Sequence, residues 1–456
     1  MVGTTTKRQA LVHQLANLSA LEESGATTIV RGCGVRVFDA AGTSYIDAMG
    51  GSSCAALGFS DARLIAAITE QLHRLPFYHL FAQKSHAPAQ ALAERLAAMA
   101  PGRLRRVLFA GSGSEANDTA VKLVWAHNIA RGKPGKRKIV TRQSSYHGST
   151  ILSAAVTGQP HMQTGFGLPT ADVIQIPEVS FYRNGRPGES ERAYGERCAA
   201  ALDAAISEAG AESVAAFIVE PVMASAGCLT PPAGYFDAVA EVLAAHDVAL
   251  IADEVVCGLG RLGAPFGSVR YGLDPDLMTL AKPLTAGYFP LSAVLMTEAL
   301  YESLRSQGDG AGLFGHGLTY GGHPVGCAAA LAALDIYEEP GFKQGLADRI
   351  VSFERRLARL TAHPLVGAVR NAGLLGALEI VCDKSARRPF DPALGVTARI
   401  GAALQARGVI TRWTARTINL CPPLIISEAE LDALFAALAG ALDAVANEAA
   451  TLRATP

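Results

Sequence analysis

Metal-ligand spacing is missing from this sequence, although it carries eight cysteines and eleven histidines. It contains no CxxC pair and no HExxH, which argues against a structural or catalytic zinc site. The cysteines (Cys33, Cys54, Cys198, Cys228, Cys257, Cys327, Cys382 and Cys421) are scattered, several inside apolar stretches. They read as free thiols in a reducing cytosol. Long apolar runs are missing too. None reaches the roughly 18 residues of a spanning helix, and the N-terminal stretch lacks a signal core with a cleavage site, so a cytoplasmic location is expected. Charge of one sign does not dominate: 40 basic and 41 acidic residues are intermixed, for a net charge of −1. That excludes the basic stripe of a nucleic-acid binder and a polybasic membrane patch. The small-residue loop from Gly111 to Ser114 fits neither GxGxxG nor the Walker pattern, which disfavours a dinucleotide or nucleotide triphosphate there. No internal repeat or low-complexity tract is seen.

Half of the 456 residues are hydrophobic, and a chain this long divides into at least two domains. Its organising stretch runs from Val248 to Pro283. Two continuous apolar runs there end in Asp253 (VALIAD) and Lys282 (PDLMTLAK), and a third upstream, VAAFIVE, ends in Glu220. Runs without polar alternation predict strands buried on both faces, as in a parallel α/β sheet. Ligands of such sheets sit outside the carboxyl ends of the strands. Three adjacent strands would therefore aim two carboxylates and one amine into one crevice. The separations leave room for βα crossovers, which need about 10–12 residues each. A lysine at a dry strand end is desolvated and becomes a usable nucleophile. Paired with a carboxylate that holds a pyridinium nitrogen, it suits a pyridoxal 5'-phosphate (PLP) enzyme.

Taken in order, residues 1 to about 25 have the Leu11, Leu15, Leu18, Leu21 spacing of an amphipathic helix. Residues 27–51, broken by Gly and an AAG turn, predict a small β meander. Helices are predicted from Asp61, as cap, and over 86–99, with an aromatic-rich loop between them. RRVLFAGSGSEANDTAVK predicts a strand, a small-residue turn from Gly111 to Ser114, and a helix from near Glu115. The first N–H groups of that helix suit a phosphate, with the Ser112 and Ser114 hydroxyls as further donors. KRKIVTRQSSYHGST predicts a buried strand and a turn where Tyr146 can stack on a flat ring. Residues 180–197 read as an exposed excursion. LSAVLMT is a further strand, and a Gly/His/Thr-rich turn precedes an apolar helix from near Val325. Helices over 343–361, 395–407 and 427–449 flank short strands around LLGALEIV and TINLCPPLII. These predict an α+β cap packed with the N-terminal meander, so that 1–60 and 326–456 form a smaller domain beside a large one, 61–325.

FAGSGSEANDTAVK, SYHGST, the Glu220-Pro221 pair, IADEVVCGLGRLG, LAKPLTAGYFPLSA, HGLTYGGHP and CPPLIIS resemble, in order and over most of the chain, the class III (ω-) aminotransferases of PLP fold type I. LPFYHLFAQKSHAP and YHGSTI are most similar to amine:pyruvate and β-alanine:pyruvate transaminases. The resemblance implies a large domain with a mostly parallel sheet flanked by helices, plus a smaller α+β domain. It implies that Lys282 binds the cofactor covalently and moves the reacting proton, while Asp253 keeps the pyridine nitrogen protonated. Val255, on the same strand face as Asp253, would lie under the ring and Tyr146 above it, with His147 in the same turn. Ser112, Gly113 and Ser114 match the phosphate cup, and Glu220 a glutamate beside the ring's O3′. Thr319 matches a threonine reaching the phosphate from a partner subunit, which implies a homodimer with sites at its interface, alone or paired into a tetramer. Arg412, ten residues before the Pro422-Pro423 pair, matches the arginine clamping the acceptor's carboxylate, with Arg416 close by as its rival. Phe81 and Ser53 would border the substrate, Ser53 where the amine:pyruvate relatives often have Trp. Val256 replaces the Gln of ornithine-type relatives. Pro283 departs from the small residue usual after the lysine and biases Lys282 towards an extended backbone. The implied activity is ping-pong transfer of an amino group from a primary amine or ω-amino acid to a keto acid such as pyruvate. A decarboxylase or aminomutase on the same fold is the alternative.

Overall fold

The continuous apolar runs become the central strands of a computed structural model that describes residues 10–452. Three short strands come first: β1 (Ile29–Cys33), β2 (Arg36–Asp39) and β3 (Ser44–Asp47), an antiparallel meander. The large sheet follows with β4 (Leu104–Ala110), β5 (Lys138–Arg142), β6 (Val173–Ile176), β7 (Val214–Val219), β8 (Ala249–Asp253), β9 (Leu277–Leu280) and β10 (Ser292–Thr297). Their order across the sheet is β4-β10-β9-β8-β7-β5-β6. Only β10 runs antiparallel to its neighbours. Every residue of β7, β9 and β10 is buried, which is why these runs show no polar alternation. The strands preceding Glu220, Asp253 and Lys282 are thus three side-by-side neighbours, β7, β8 and β9.

The C-terminal part adds β11 (Val366–Ala372), β12 (Leu375–Asp383), β13 (Arg388–Pro389), β14 (Val409–Ile410), β15 (Arg412–Trp413) and β16 (Thr417–Leu420). β11, β12, β16 and β15 form an antiparallel sheet, and β13 pairs with β12. β14 instead pairs in parallel with β3, joining the C-terminal chain to the meander. Along β16 the faces divide by chemistry. Ile418 and Leu420 enter the largest apolar cluster, which also holds Phe353 and Leu434, while Thr417 and Asn419 alternate to the other face.

Local capping follows the sequence. The Asp61 carboxylate accepts from the N–H groups of Arg63 and Leu64 at the head of the helix Ala62–Arg74, and a second helix spans Ala87–Met99. Four details differ from expectation. Among the described residues the first helix covers only Leu18–Ser24 and buries none of its side chains; expected residues 1–9 lie outside the described chain. The segment 180–197 is not a plain excursion. Phe181–Asn184 form a helical turn, and a 19-residue helix starts at Glu191, capped by Ser190 and anchored by buried Tyr194. The helix expected from Glu115 begins at Gly113, because the Ser112 hydroxyl accepts the Glu115 N–H and fixes the start two residues earlier. Lys282 is not extended. It opens a 3-10 turn (Lys282–Thr285) at φ +41°. The turn is held by Leu284 N–H to Ala281 C=O (2.9 Å) and Ala286 N–H to Pro283 C=O (3.0 Å). The Tyr337 hydroxyl also donates to Pro283 C=O at 2.8 Å. A non-glycine residue held at positive φ costs about 1–3 kcal/mol and is sustained only by its surroundings.

Candidate active site

A cavity of about 230 Å³ opens at the carboxyl ends of β7, β8 and β9. Glu220, Asp253 and Lys282 all line it, joined by Tyr146, His147, Val255, Gly113 and Ser114 from neighbouring loops and by Arg412 from the C-terminal sheet. The expected crevice is therefore one physical space.

Asp253 is its most firmly held group. One carboxylate oxygen, Oδ2, accepts from Asn117 Nδ2 at 2.8 Å and lies 2.8 Å from His147 Nδ1; the other, Oδ1, accepts from the Val255 N–H at 3.1 Å. Asn117 is itself fixed, receiving the Thr279 hydroxyl at 2.8 Å and donating to the His147 carbonyl at 2.6 Å. Hydrogen bonds to an ionised carboxylate are the strong ones, so this network sets the position of a negative charge in a buried wall. His147 Nε2 is buried without a partner among the described residues. Asn117 was not among the expected residues. It sits four residues after Gly113 on one helix, a spacing that shares a face and could have identified it. β8 ends at Asp253, so Val255 lies in the following turn and not on the strand face; it still lines the cavity.

Glu220 is buried beside this network with no salt-bridge partner among the described residues. Its carboxylate accepts from the N–H groups of Tyr146 (3.1 Å) and Ala224 (3.2 Å), and its carbonyl accepts from Arg142. Burial pushes its carboxyl above the ordinary range, with neighbouring Asp253 adding to the shift against the pull of His147. A carboxyl so placed is disposed to hold a proton.

Lys282 is half-buried, and its amine makes no hydrogen bond or ion pair with any described residue. Opposite it, the helix Gly113–Ala130 points its N-terminus at the cavity, where its first N–H groups lack intrahelical acceptors. Close approach explains the glycine at 113. A Cβ there would come 3.0 Å from Val255 Cγ1 and 3.6 Å from Ala281 Cβ. The Ser114 hydroxyl accepts the Ser149 N–H at 3.0 Å. Tyr146 stands half-buried with its hydroxyl 3.1 Å from Ser149 Oγ.

Arg412, on β15, also reaches the cavity with no hydrogen-bond or ion-pair partner among the described residues, whereas Arg416 is exposed and outside it. Ser53 lines the cavity from a left-handed turn (Gly50 to Ser53, all at positive φ). Asp47 holds this turn by accepting the N–H groups of Met49 and Gly51. Three expected residues are not brought in. The Ser112 hydroxyl is used as a helix cap. Phe81 and Thr319 are exposed outside the cavity, with Phe81 packed where a Gly317 side chain would stand. Leu15, Ser52, Ser225 and Asn419 are among the lining residues that were not expected.

These groups fit PLP: an unpaired amine for an aldehyde, a helix N-terminus for a phosphate, and a braced carboxylate for a ring nitrogen. Fold and site together define a PLP-dependent enzyme of fold type I. The chain belongs to the class III aminotransferases, whose family model (Aminotransferase class-III) matches residues 19–442. It is 41% identical to γ-aminobutyrate transaminase 3 of Solanum lycopersicum over 92% of this chain and 81% of that protein. Among solved structures it matches an ω-transaminase from Pseudomonas jessenii in complex with PMP, with TM-score 0.93, 41% identity and 96% of each chain covered. A thermostable ω-transaminase variant engineered for asymmetric synthesis of enantiopure bulky amines matches at TM-score 0.94 and 41% identity, over 96% of this chain and 97% of that one.

Proposed function

We propose that this aminotransferase moves an amino group from a primary amine or ω-amino acid to a keto acid, pyruvate being the acceptor, in two half-reactions at one cavity. The observation that carries this reading is the Arg412 guanidinium, unpaired on the same cavity as Lys282. A planar fork of N–H donors suits a carboxylate better than an alkyl or aryl amine. Support for the amine side comes from the relatives, which include ω-transaminases and a γ-aminobutyrate transaminase.

When bound, PLP supplies an electron sink for the charge left when the substrate's α-proton departs. The chain's own residues do the rest. Lys282 Nζ takes and returns that proton. Asp253, fixed by Asn117, His147 and the Val255 N–H, presents its negative charge to the ring nitrogen. The N–H groups of Gly113 and Ser114 hold the phosphate, Tyr146 and Val255 confine the ring, and Glu220 borders its O3′ side. Arg412 orients the acceptor's carboxylate, and Ser53, in place of a bulky side chain, leaves room for large amines.

The active assembly on this reading is a homodimer, with Thr319 of each chain and the Ser112 loop completing the phosphate site across the interface. Supporting it, Thr319 is exposed within a run of exposed large side chains, Phe77, Phe81, Phe314 and Tyr320. Contiguous exposed apolar side chains mark interaction surfaces. A smaller domain of 1–60 and 326–456 beside a large one of 61–325 accords with β14 pairing onto β3. Eight free cysteines favour the cytoplasm, and among the described residues no helix is long and apolar enough to cross a membrane. The test is a panel of amine donors with pyruvate, read as alanine formed. Product in the parent and its loss with Arg412→Leu are expected. Carbon dioxide release without alanine would indicate a decarboxylase.

A further inference from the structure

Asn419 is almost wholly buried (2% exposed), lines the cavity, and carries a side-chain nitrogen with no partner among the described residues. Its orientation is set by a hydroxyl relay. Thr414 Oγ1 accepts the N–H groups of Arg416 (3.2 Å) and Thr417 (3.1 Å), so its own proton goes to Thr417 Oγ1, 2.8 Å away. Thr417 Oγ1 then donates to Asn419 Oδ1 at 2.8 Å. Each hydroxyl has one proton to give. With both committed in this direction, the carboxamide oxygen is the acceptor and Nδ2 is left as an unused donor.

Asn419 lies directly opposite Arg412 in the β15–β16 pairing. Directly opposed residues project from the same face of a sheet, and both side chains line the same cavity. A buried donor left unsatisfied costs stability. An unpaired guanidinium next to an unpaired amide N–H is therefore a receptor whose acceptor comes from outside the chain. A carboxylate offers about four lone-pair sites. A guanidinium fork occupies two of them and leaves the others to a second donor.

We propose that Asn419 is a specificity-determining residue, donating from Nδ2 to the substrate carboxylate that Arg412 holds. This rests on the reading of Arg412 as the carboxylate binder. It makes the cavity select acceptors bearing a carboxylate over aldehydes of the same length, by more than the arginine alone provides.

The experiment uses PLP-loaded parent, Asn419→Leu and Asn419→Asp enzymes. Asn419→Asp keeps the size and the Thr417 hydrogen bond while removing the donor. Propionate, which has the carboxylate but no carbonyl to react, is titrated by calorimetry. Kinetics are then compared for pyruvate and for propanal, which lacks the carboxylate. Both variants are expected to lose about tenfold or more in propionate affinity, the scale of a hydrogen bond to a charged group. The KM for pyruvate should rise in step with kcat retained, and propanal kinetics should be unchanged. Propionate binding that survives in both variants, or pyruvate and propanal declining together, overturns the proposal. A parent that binds propionate through Asn419 yet makes no alanine would overturn pyruvate as acceptor and uphold the receptor.

Discussion

Glu379→Gln probes how the C-terminal sheet is fastened to the rest of the chain. Glu379, on β12, is almost wholly buried. Arg183 grips it through two contacts, Nε–Oε1 at 3.0 Å and Nη2–Oε2 at 2.9 Å, and Arg370 Nη2 adds a third to Oε2 at 2.7 Å. Arg183 also contacts Glu178 at 3.0 Å, whereas the other side-chain partner of Arg370 is the Gly227 carbonyl. Removing the Glu379 charge therefore leaves Arg183 with one carboxylate and Arg370, largely buried, with none among the described residues. Breaking a buried pair from one side costs about 3–5 kcal/mol. With an unfolding entropy of about 2.1 cal/mol/K per residue, that becomes a drop of roughly 3–5 °C in melting temperature for a chain of this length. Burial pushes the Glu379 carboxyl up, but Arg183 and Arg370 outweigh it and hold it below its ordinary value. Its contribution is therefore complete above the ordinary glutamate range and is lost as pH falls through the depressed value. Scanning calorimetry at stepped pH should show a parent–variant gap that is full at pH 7 and narrows below about pH 4.3. A Gln variant that melts with its parent at pH 7, or a gap that widens on acidification, would refute the reasoning.

Three further outcomes are expected. Gly113→Ala places a methyl group 3.0 Å from Val255 Cγ1, an overpacking worth about 1–3 kcal/mol. It should weaken PLP binding, measured by absorbance titration, with little change in helix content. Asn117→Ala leaves the Thr279 hydroxyl and the His147 carbonyl without their partner, at about 1–3 kcal/mol each. A lower melting temperature and slower turnover should follow. Ser53→Trp puts a large side chain into a cavity of about 230 Å³ and should cost activity on bulky amines more than on small ones; an unchanged substrate profile would count against Ser53 as a wall of the pocket.

The large sheet was legible because strands buried on both faces write themselves as unbroken apolar runs, and β7, β8 and β9 do so next to their charged terminal residues. The backbone at Lys282 was not. A following proline removes the right-handed helical option, but the choice between extended and positive φ was made by the tertiary contacts of Pro283, among them the Tyr337 hydroxyl. Leu11, Leu15 and Leu18 carry a helical period, yet all three stay exposed and only Leu18 falls in a helix, so the period specified little. Residues joined only through space were the hardest to see. Asn117 braces Asp253 across 136 positions, and Asn419 matters because a strand pairing sets it beside Arg412. The one local signal for Asn117 is its spacing of four from Gly113 on the same helix, and Asn419 belongs to no local pattern that singles it out.

Reduction of the PLP-loaded protein with borohydride, followed by peptide mass analysis, tests the central claim most directly, because it asks which amine carries the cofactor. The pyridoxyl mass is expected on Lys282 alone, and absent from Lys282→Ala. Label on any other lysine, or none on a protein that still transaminates, would contradict the account.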